Sequence, residues 1–220
     1  MRFFRRPTSS EPAPHAQAAG GFGAIPAGSH CDVTVLFADL EGFTAMTEQL
    51  PAPEVVSRLN ETFTALTDAV DRFGGRVDKF MGDAMLVVWS EPDPRRSAAL
   101  AVQAAIAMQE AAAQLQARAI AEGRRPVKVR IGISSGRAII GEIGAPQRRE
   151  KTVIGDAVNT AARLEAINKE FHTDSILSGA TYELAGDRLR ARDLGMVSIK
   201  GRREPVQAYA LIGWNEEETP

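Results

Sequence analysis

The sequence predicts an α+β fold, a ferredoxin-like βαββαβ core extended by C-terminal strands and helices. Three observations lead there. Patterned segments follow one another as strand, helix, two short strands joined by a hairpin, helix and strand. The helical segments repeat their apolar residues every three or four positions. The segment at 127–133 alternates Val127, Val129, Ile131 and Ile133 with polar or small residues, as a strand covered on one side does. The 220 residues suit one domain, or one domain with tails. With 44% hydrophobic and 25% charged residues the composition is that of a soluble globular protein, which excludes a wholly disordered or collagen-like chain.

Residues 1–29 carry Pro7, Pro12, Pro14 and Pro26 among glycines with little apolar periodicity, so a flexible lead-in is expected there. The folded domain is expected over 30–213 and an acidic tail over 214–220. Val33, Val35, Leu36 and Phe37 mark a buried central strand at 32–38. From Pro53 the positions Val55, Leu59, Phe63, Leu66 and Val70 build a helix that Gly74 and Gly75 stop. Residues 76–80 and 84–89 are short strands around Met81, Gly82 and Asp83, a hairpin. A second long helix follows Pro94, with Ala98, Ala101, Val102, Ala105 and Met108 on one face. After the strand at 127–133, residues 138–143 are expected to pair back as the next strand, with Ser135, Gly136 and Arg137 between them. A helix at 156–168, an extended piece at 175–177, a short helix at 181–185 and strands at 189–199 and 206–212 complete the domain.

Acidic and basic residues number 28 and 26, a formal charge of −2, so no global positive field exists to gather nucleic acid. Cys31 is the single cysteine and cannot form an internal disulfide; small buried filler in a reducing cytoplasm is the expectation. His15, His30 and His172 are not spaced as a zinc site. The apolar run at 84–89 is six residues long, whereas a bilayer span needs roughly 20. The start, with Arg2, Phe3, Phe4, Arg5 and Arg6, lacks the apolar segment of a signal peptide.

Asp39 leaves the first strand into a turn containing Gly42, with a helix starting near Thr44. Backbone N–H groups at such a start hold phosphate oxygens and a strand-end carboxylate holds Mg2+, though an aspartate before a helix also serves as a plain cap. Asp83 reads as a hairpin-turn residue or as a second carboxylate. In the expected sheet the first strand and the hairpin are neighbours, so the two acids converge as two-metal phosphoryl chemistry requires. Asn159 and Arg163, four positions apart, share a helix face. Taken singly, Lys79 and Lys200 read as surface lysines and Arg137 as a turn residue.

In combination these segments carry more. Phe-Ala-Asp-Leu-Glu-Gly-Phe-Thr at 37–44, Asp-Lys-Phe-Met-Gly-Asp at 78–83 and Gly-Ile-Ser-Ser-Gly-Arg at 132–137 occur in order. Thr-Val-Ile-Gly-Asp-Ala-Val-Asn-Thr-Ala-Ala-Arg-Leu-Glu at 152–165 and Ile-Lys-Gly-Arg at 199–202 follow. Together they resemble the class III nucleotidyl cyclase catalytic domain over about residues 31–212.

The resemblance implies an enzyme that converts a nucleoside triphosphate to its 3′,5′-cyclic monophosphate and pyrophosphate. It implies two divalent metal ions, Mg2+ or Mn2+, and a dimer with active sites at the subunit interface. Metal would fall to Asp39, Asp83 and the backbone of Leu40, and the phosphates to the turn of Leu40, Gly42, Phe43 and Thr44. Lys79 and Thr152 match the purine-reading pair, Asn159 the ribose-orienting residue and Arg163 the transition-state arginine. Lys200 matches the lysine on the terminal phosphate and Arg137 an arginine reaching the phosphates from the metal side. A lysine donates to adenine N1 and cannot accept from guanine N1–H, while Thr152 accepts from the adenine amino group, so the type implied is adenylyl and the substrate ATP. Threonine rather than aspartate at 152 is similar to the class IIIb subgroup, whose members often respond to bicarbonate, which makes bicarbonate a candidate activator. All motif positions are filled on one chain, so a homodimer with two sites is the economical reading. Three rivals are a guanylyl cyclase, which usually places glutamate and cysteine at the purine pair, a catalytically silent nucleotide-binding module, and a diguanylate cyclase. A silent module would usually have lost a metal aspartate or the Asn/Arg pair, and the Gly-Gly-Asp/Glu-Glu-Phe signature of the last is absent.

Overall fold

A computed structural model of the chain describes residues 28–199 and 204–215. Most of the expected lead-in, Lys200 and most of the expected tail lie outside the described residues. The elements run β1 (Ser29–Glu41), α1 (Phe43–Gln49), α2 (Ala52–Arg72), β2 (Arg76–Met81), β3 (Ala84–Trp89) and α3 (Pro94–Ala121). They continue with β4 (Lys128–Ala145), β5 (Arg148–Ile154), α4 (Asp156–Phe171), β6 (Ser175–Ser178), α5 (Gly179–Ala185), β7 (Leu189–Val197) and β8 (Val206–Trp214). One sheet holds them in the order β2-β3-β1-β4-β6-β8-β7, with β5 also paired to β4. Its first four strands have the ferredoxin-like order and are antiparallel throughout. β6 then joins β4 in parallel, and β8 and β7 complete the edge.

Alternation along β1 decides what faces what. Leu36, Ala38 and Leu40 point to one face, where Leu66 and Val70 of α2 and Val102 and Met108 of α3 cover them. Val33 and Val35 point to the other, into a cluster with Leu86, Val88, Ala157 and Ala161. The second long helix begins where its sequence says it should. Pro94 fills the first helical position and the Asp93 carboxylate accepts the Arg95 amide at 2.9 Å. No described helix is long and apolar enough to cross a membrane.

One expected pairing is absent. Residues 138–143 do not turn back, because β4 is a single strand of 18 residues. β1 pairs with it from Lys128 to Ile140 on one edge. On the other edge β6 takes Ile131 to Ile133 and β5 takes Ile139 to Ala145. Ser135 and Gly136 look like turn residues but are ladder residues, paired with Thr34 and Val33. The buried Ser135 hydroxyl is within hydrogen-bond distance of those of Thr34, at 2.9 Å, and Thr181, at 3.0 Å, so strand burial leaves it no unmet polar group. Arg137 therefore lies in mid-strand, exposed and opposite Asp32, not in a turn. The strand that does pair back is β5.

Candidate active site

Asp39 belongs to the alternate set on β1 that faces α4, between Ala84 of β3 and Arg130 of β4 in the ladder. Asp83 is fixed by the β2–β3 hairpin, whose ladder closes at Met81 and Ala84 and leaves Gly82 and Asp83 to turn the chain. Gly82 has φ 65°, a conformation that tight hairpin turns assign to glycine. Asp83 thus directly precedes the residue opposite Asp39, and the two acids become neighbours. Their proximity has an electrostatic signature. The Asp39 carboxyl is pushed up from 3.8 to about 6, first by burial and then by the charge of Asp83, against the Leu40 amide hydrogen bond and the Arg130 charge.

A third acid, Glu165, joins them. Helix α4 carries it on the side turned to the sheet, and it is 7% exposed. The approach is close because Gly132 lies beneath: a Cβ there would stand 2.0 Å from the Ala161 carbonyl oxygen and 2.3 Å from the Glu165 amide nitrogen. The Glu165 carboxyl is pushed up from 4.5 to about 7, by burial first and by Asp39 next, with Asp83 adding and Arg130 opposing. Arg130 is the cation of this corner and also holds Glu41, Nη2 to Oε1, at 2.6 Å. Sequence reasoning gave Glu165 no role. The signal was present, because Glu165 lies one helical turn beyond Ala161 on the buried face, a charge where the pattern calls for an apolar residue.

A carboxylate on a central strand paired with one in the adjoining hairpin turn is a set of hard oxygen donors suited to Mg2+ or Mn2+, and their mutual repulsion when metal-free is what a cation relieves. Among the described residues no three His, Cys, Asp or Glu side chains converge as a metal cage. Mg2+ needs no such cage, since it is usually held by one or two carboxylates and completes its shell with water and substrate phosphates.

A second group forms where the β4–β5 ribbon folds across the α4 face of the sheet. Ile140 and Val153 of the ribbon pack with Val33, Val35, Leu86 and Val88. Thr152 is carried to β2, where its Oγ1 donates to Asp78 Oδ2 at 2.6 Å. Lys79 Nζ lies 3.7 Å from the same Asp78 oxygen and 3.7 Å from Glu150 Oε2. Lys79 faces the ribbon beside Asp78 because β2 has a bulge: Val77 pairs with Val87 and Lys79 with Leu86, leaving Asp78 without a ladder position. Lys79 and Thr152, 73 positions apart, are thereby brought together.

The remaining residues come from α4 and from the turn after β1. Asn159 and Arg163 are exposed on α4, the helix whose buried residues include Ala161, Leu164 and Glu165. The turn after β1 has Gly42 at φ 82° as the N-cap of α1, with Phe43 packed against the core and Thr44 exposed. Leu40 is buried in the core while its amide bonds the Asp39 carboxylate. The structure therefore brings Asp39 to Asp83 and Lys79 to Thr152, and carries Asn159 and Arg163 on the exposed face of α4.

Compared with known proteins, residues 25–213 match the family model described as Adenylate and Guanylate cyclase catalytic domain. Adenylate cyclase 1 of Rhizobium meliloti is 33% identical over 183 residues, which are 83% of this chain and 28% of that protein. The terminal-differentiation-specific adenylate cyclase of Dictyostelium discoideum is 33% identical over 189 residues, 84% of this chain and 9% of that protein. The chain thus spans a minor part of the length of these relatives. Among solved structures, the adenylyl cyclase CyaB from P. aeruginosa superposes with a TM-score of 0.78 at 32% identity, covering 85% of this chain and 96% of that one. The guanylyl cyclase Cya2 gives 0.74 at 32% identity, covering 88% and 98%.

Proposed function

The chain belongs to the adenylate and guanylate cyclase catalytic domain family, and on that premise we propose that it converts ATP to 3′,5′-cyclic AMP and pyrophosphate at composite sites in a homodimer. One observation carries the choice of ATP: Lys79 and Thr152 meet over Asp78. A lysine donor and a threonine acceptor match adenine N1 and its amino group.

On this reading Asp39 and Asp83, with the Leu40 carbonyl, would hold two divalent cations. When bound, such cations acidify the ribose 3′-hydroxyl and draw charge from the α-phosphate. Leu40, Gly42, Phe43 and Thr44 present the turn after β1 to the phosphates, because the first N–H groups of a helix have no partner within it. Asn159 orients the ribose and Arg163 meets the charge that grows on the α-phosphate and bridging oxygen during in-line attack. Arg137 and Lys200 serve the phosphates. No histidine lies in the motifs, so Asp39 or solvent takes the 3′-hydroxyl proton. The exposure of Asn159 and Arg163 supports their service to a partner's acids, which makes each site a joint product of two subunits.

The similarity to the guanylyl cyclase Cya2 keeps GTP as the second reading. Purified protein given ATP or GTP with Mg2+ or Mn2+, with and without bicarbonate, tests both. Cyclic AMP as the main product is expected; preferential turnover of GTP, or no cyclic product under any condition, overturns the proposal.

A further inference from the structure

A lysine favours adenine because it cannot meet guanine N1–H, but the threonine adds to that preference only if its hydroxyl is held as an acceptor. An ammonium group that donates to adenine N1 donates as well to the 6-oxo group of guanine. A threonine hydroxyl has one proton and two lone pairs, so a freely turning one accepts from a 6-amino group or donates to a 6-oxo group. At the threonine the bases are told apart by where its proton points.

In this chain that proton is committed. Thr152 Oγ1 donates it to Asp78 Oδ2 at 2.6 Å, the length of a hydroxyl bond to a charged carboxylate. The Asp78 side chain is 0% exposed, and Arg76 Nη2 holds its other oxygen at 2.5 Å. With Lys79 Nζ 3.7 Å from Oδ2, both oxygens are engaged by cations and the group acts as an acceptor only. The β2 bulge puts Lys79 on the same side of the sheet as Asp78, whereas strict alternation after Val77, which faces the α2/α3 core, would send these neighbours to opposite faces. Thr152 itself is 9% exposed, so its hydroxyl has little water to turn to in place of Asp78.

We propose that Asp78 is the positioning residue for base selectivity: by taking the hydroxyl proton of Thr152 it leaves only lone pairs for the base, so that a 6-amino purine is accepted and a 6-oxo purine refused. The proposal rests on the reading of Lys79 and Thr152 as the purine-reading pair. Its test is the ratio of kcat/KM for ATP to that for GTP in the parent, Asp78→Asn, Thr152→Val and the double variant. In Asp78→Asn the amide oxygen stays on Arg76 and the amide NH2 donates to Thr152, which drives the hydroxyl proton toward the base. The ratio should fall about tenfold or more. In the Thr152→Val background the same change should leave the ratio within about twofold, since Asp78 acts through the hydroxyl. A loss of both activities in parallel, with the ratio kept in Asp78→Asn, overturns the proposal and leaves the adenylyl reading standing. A parent enzyme that prefers GTP, or cyclises neither nucleotide, overturns both. Should Asp78→Asn fail to fold, Thr152→Val alone decides. An acceptor-only threonine predicts a ratio lowered about tenfold, whereas equal losses on both nucleotides show a two-way rotor and overturn the proposal.

Discussion

Replacing Asp39 with asparagine removes one negative charge from the acidic corner while keeping an oxygen for the Leu40 amide. The parent carboxyl titrates at about 6 instead of 3.8, chiefly through burial and then through Asp83. At full strength that displacement corresponds to about 3 kcal/mol. Asp39 is only half-buried, so water screens part of it and about 1–2 kcal/mol remains. The folded chain binds this proton more tightly than the unfolded chain does. Its stability therefore declines as pH rises from the ordinary value of 3.8 to about 6, and stays lower above. Metal-free Asp39→Asn protein should be the more stable at pH 8, with Tm higher by about 2–8 °C for a domain of this size. The difference should close as pH falls through 6 and be gone near 4. Thermal melts followed by circular dichroism in EDTA, at several pH values, measure it. A lower Tm at pH 8, or a difference that holds constant down to pH 4.5, would refute the electrostatic reasoning.

Asp39→Ala and Lys79→Ala proteins should each be nearly inactive, yet an equal mixture should regain about a quarter of the parent activity, since half of random dimers are mixed and each has one intact site. No cyclic product after mixing counts heavily against a shared site. Arg163→Ala should lower kcat about a hundredfold or more with KM for ATP changed within about threefold, as steady-state kinetics would show; a lost KM with kcat kept would make Arg163 a binding residue instead. Gly132→Ala should cost about 3 kcal/mol, because its methyl group collides with the backbone of α4, and lower Tm by about 6 °C or more. A melt indistinguishable from the parent's would mean that α4 has room to withdraw.

Much of this was readable from residue patterns, and the misses have physical causes. The helices from Pro53 and Pro94 and the hairpin at Gly82 carry strong local signals, and each lies where the pattern puts it. β5 was missed because Arg148, Arg149, Glu150 and Lys151 carry no apolar alternation; that stretch is largely exposed, so no burial shapes its sequence. Ser135 and Gly136 were misleading because small polar residues are common in turns, and only the neighbouring Thr34 and Thr181 hydroxyls make them comfortable inside a strand. Asp83 and Asp39 were legible as a pair once the sheet order was inferred. Glu165 was not, because its place beside them depends on how closely α4 settles over Gly132. Asp78 was invisible for a related reason: a one-residue bulge leaves no trace in periodicity, and its partner is 74 positions away.

The long strand β4 is two materials joined end to end. Its first half is clamped between β1 and β6, with Val129, Ile131 and Ile133 at most 1% exposed. Past Ile140 only β5 accompanies it, and residues 142–150 are all exposed. A two-stranded ribbon in water is barely self-supporting, so amide protons along this one strand will exchange slowly at its root and fast toward its tip. Thr152, opposite Gly141, stands at the border where the rigid slab gives way to the pliant arm.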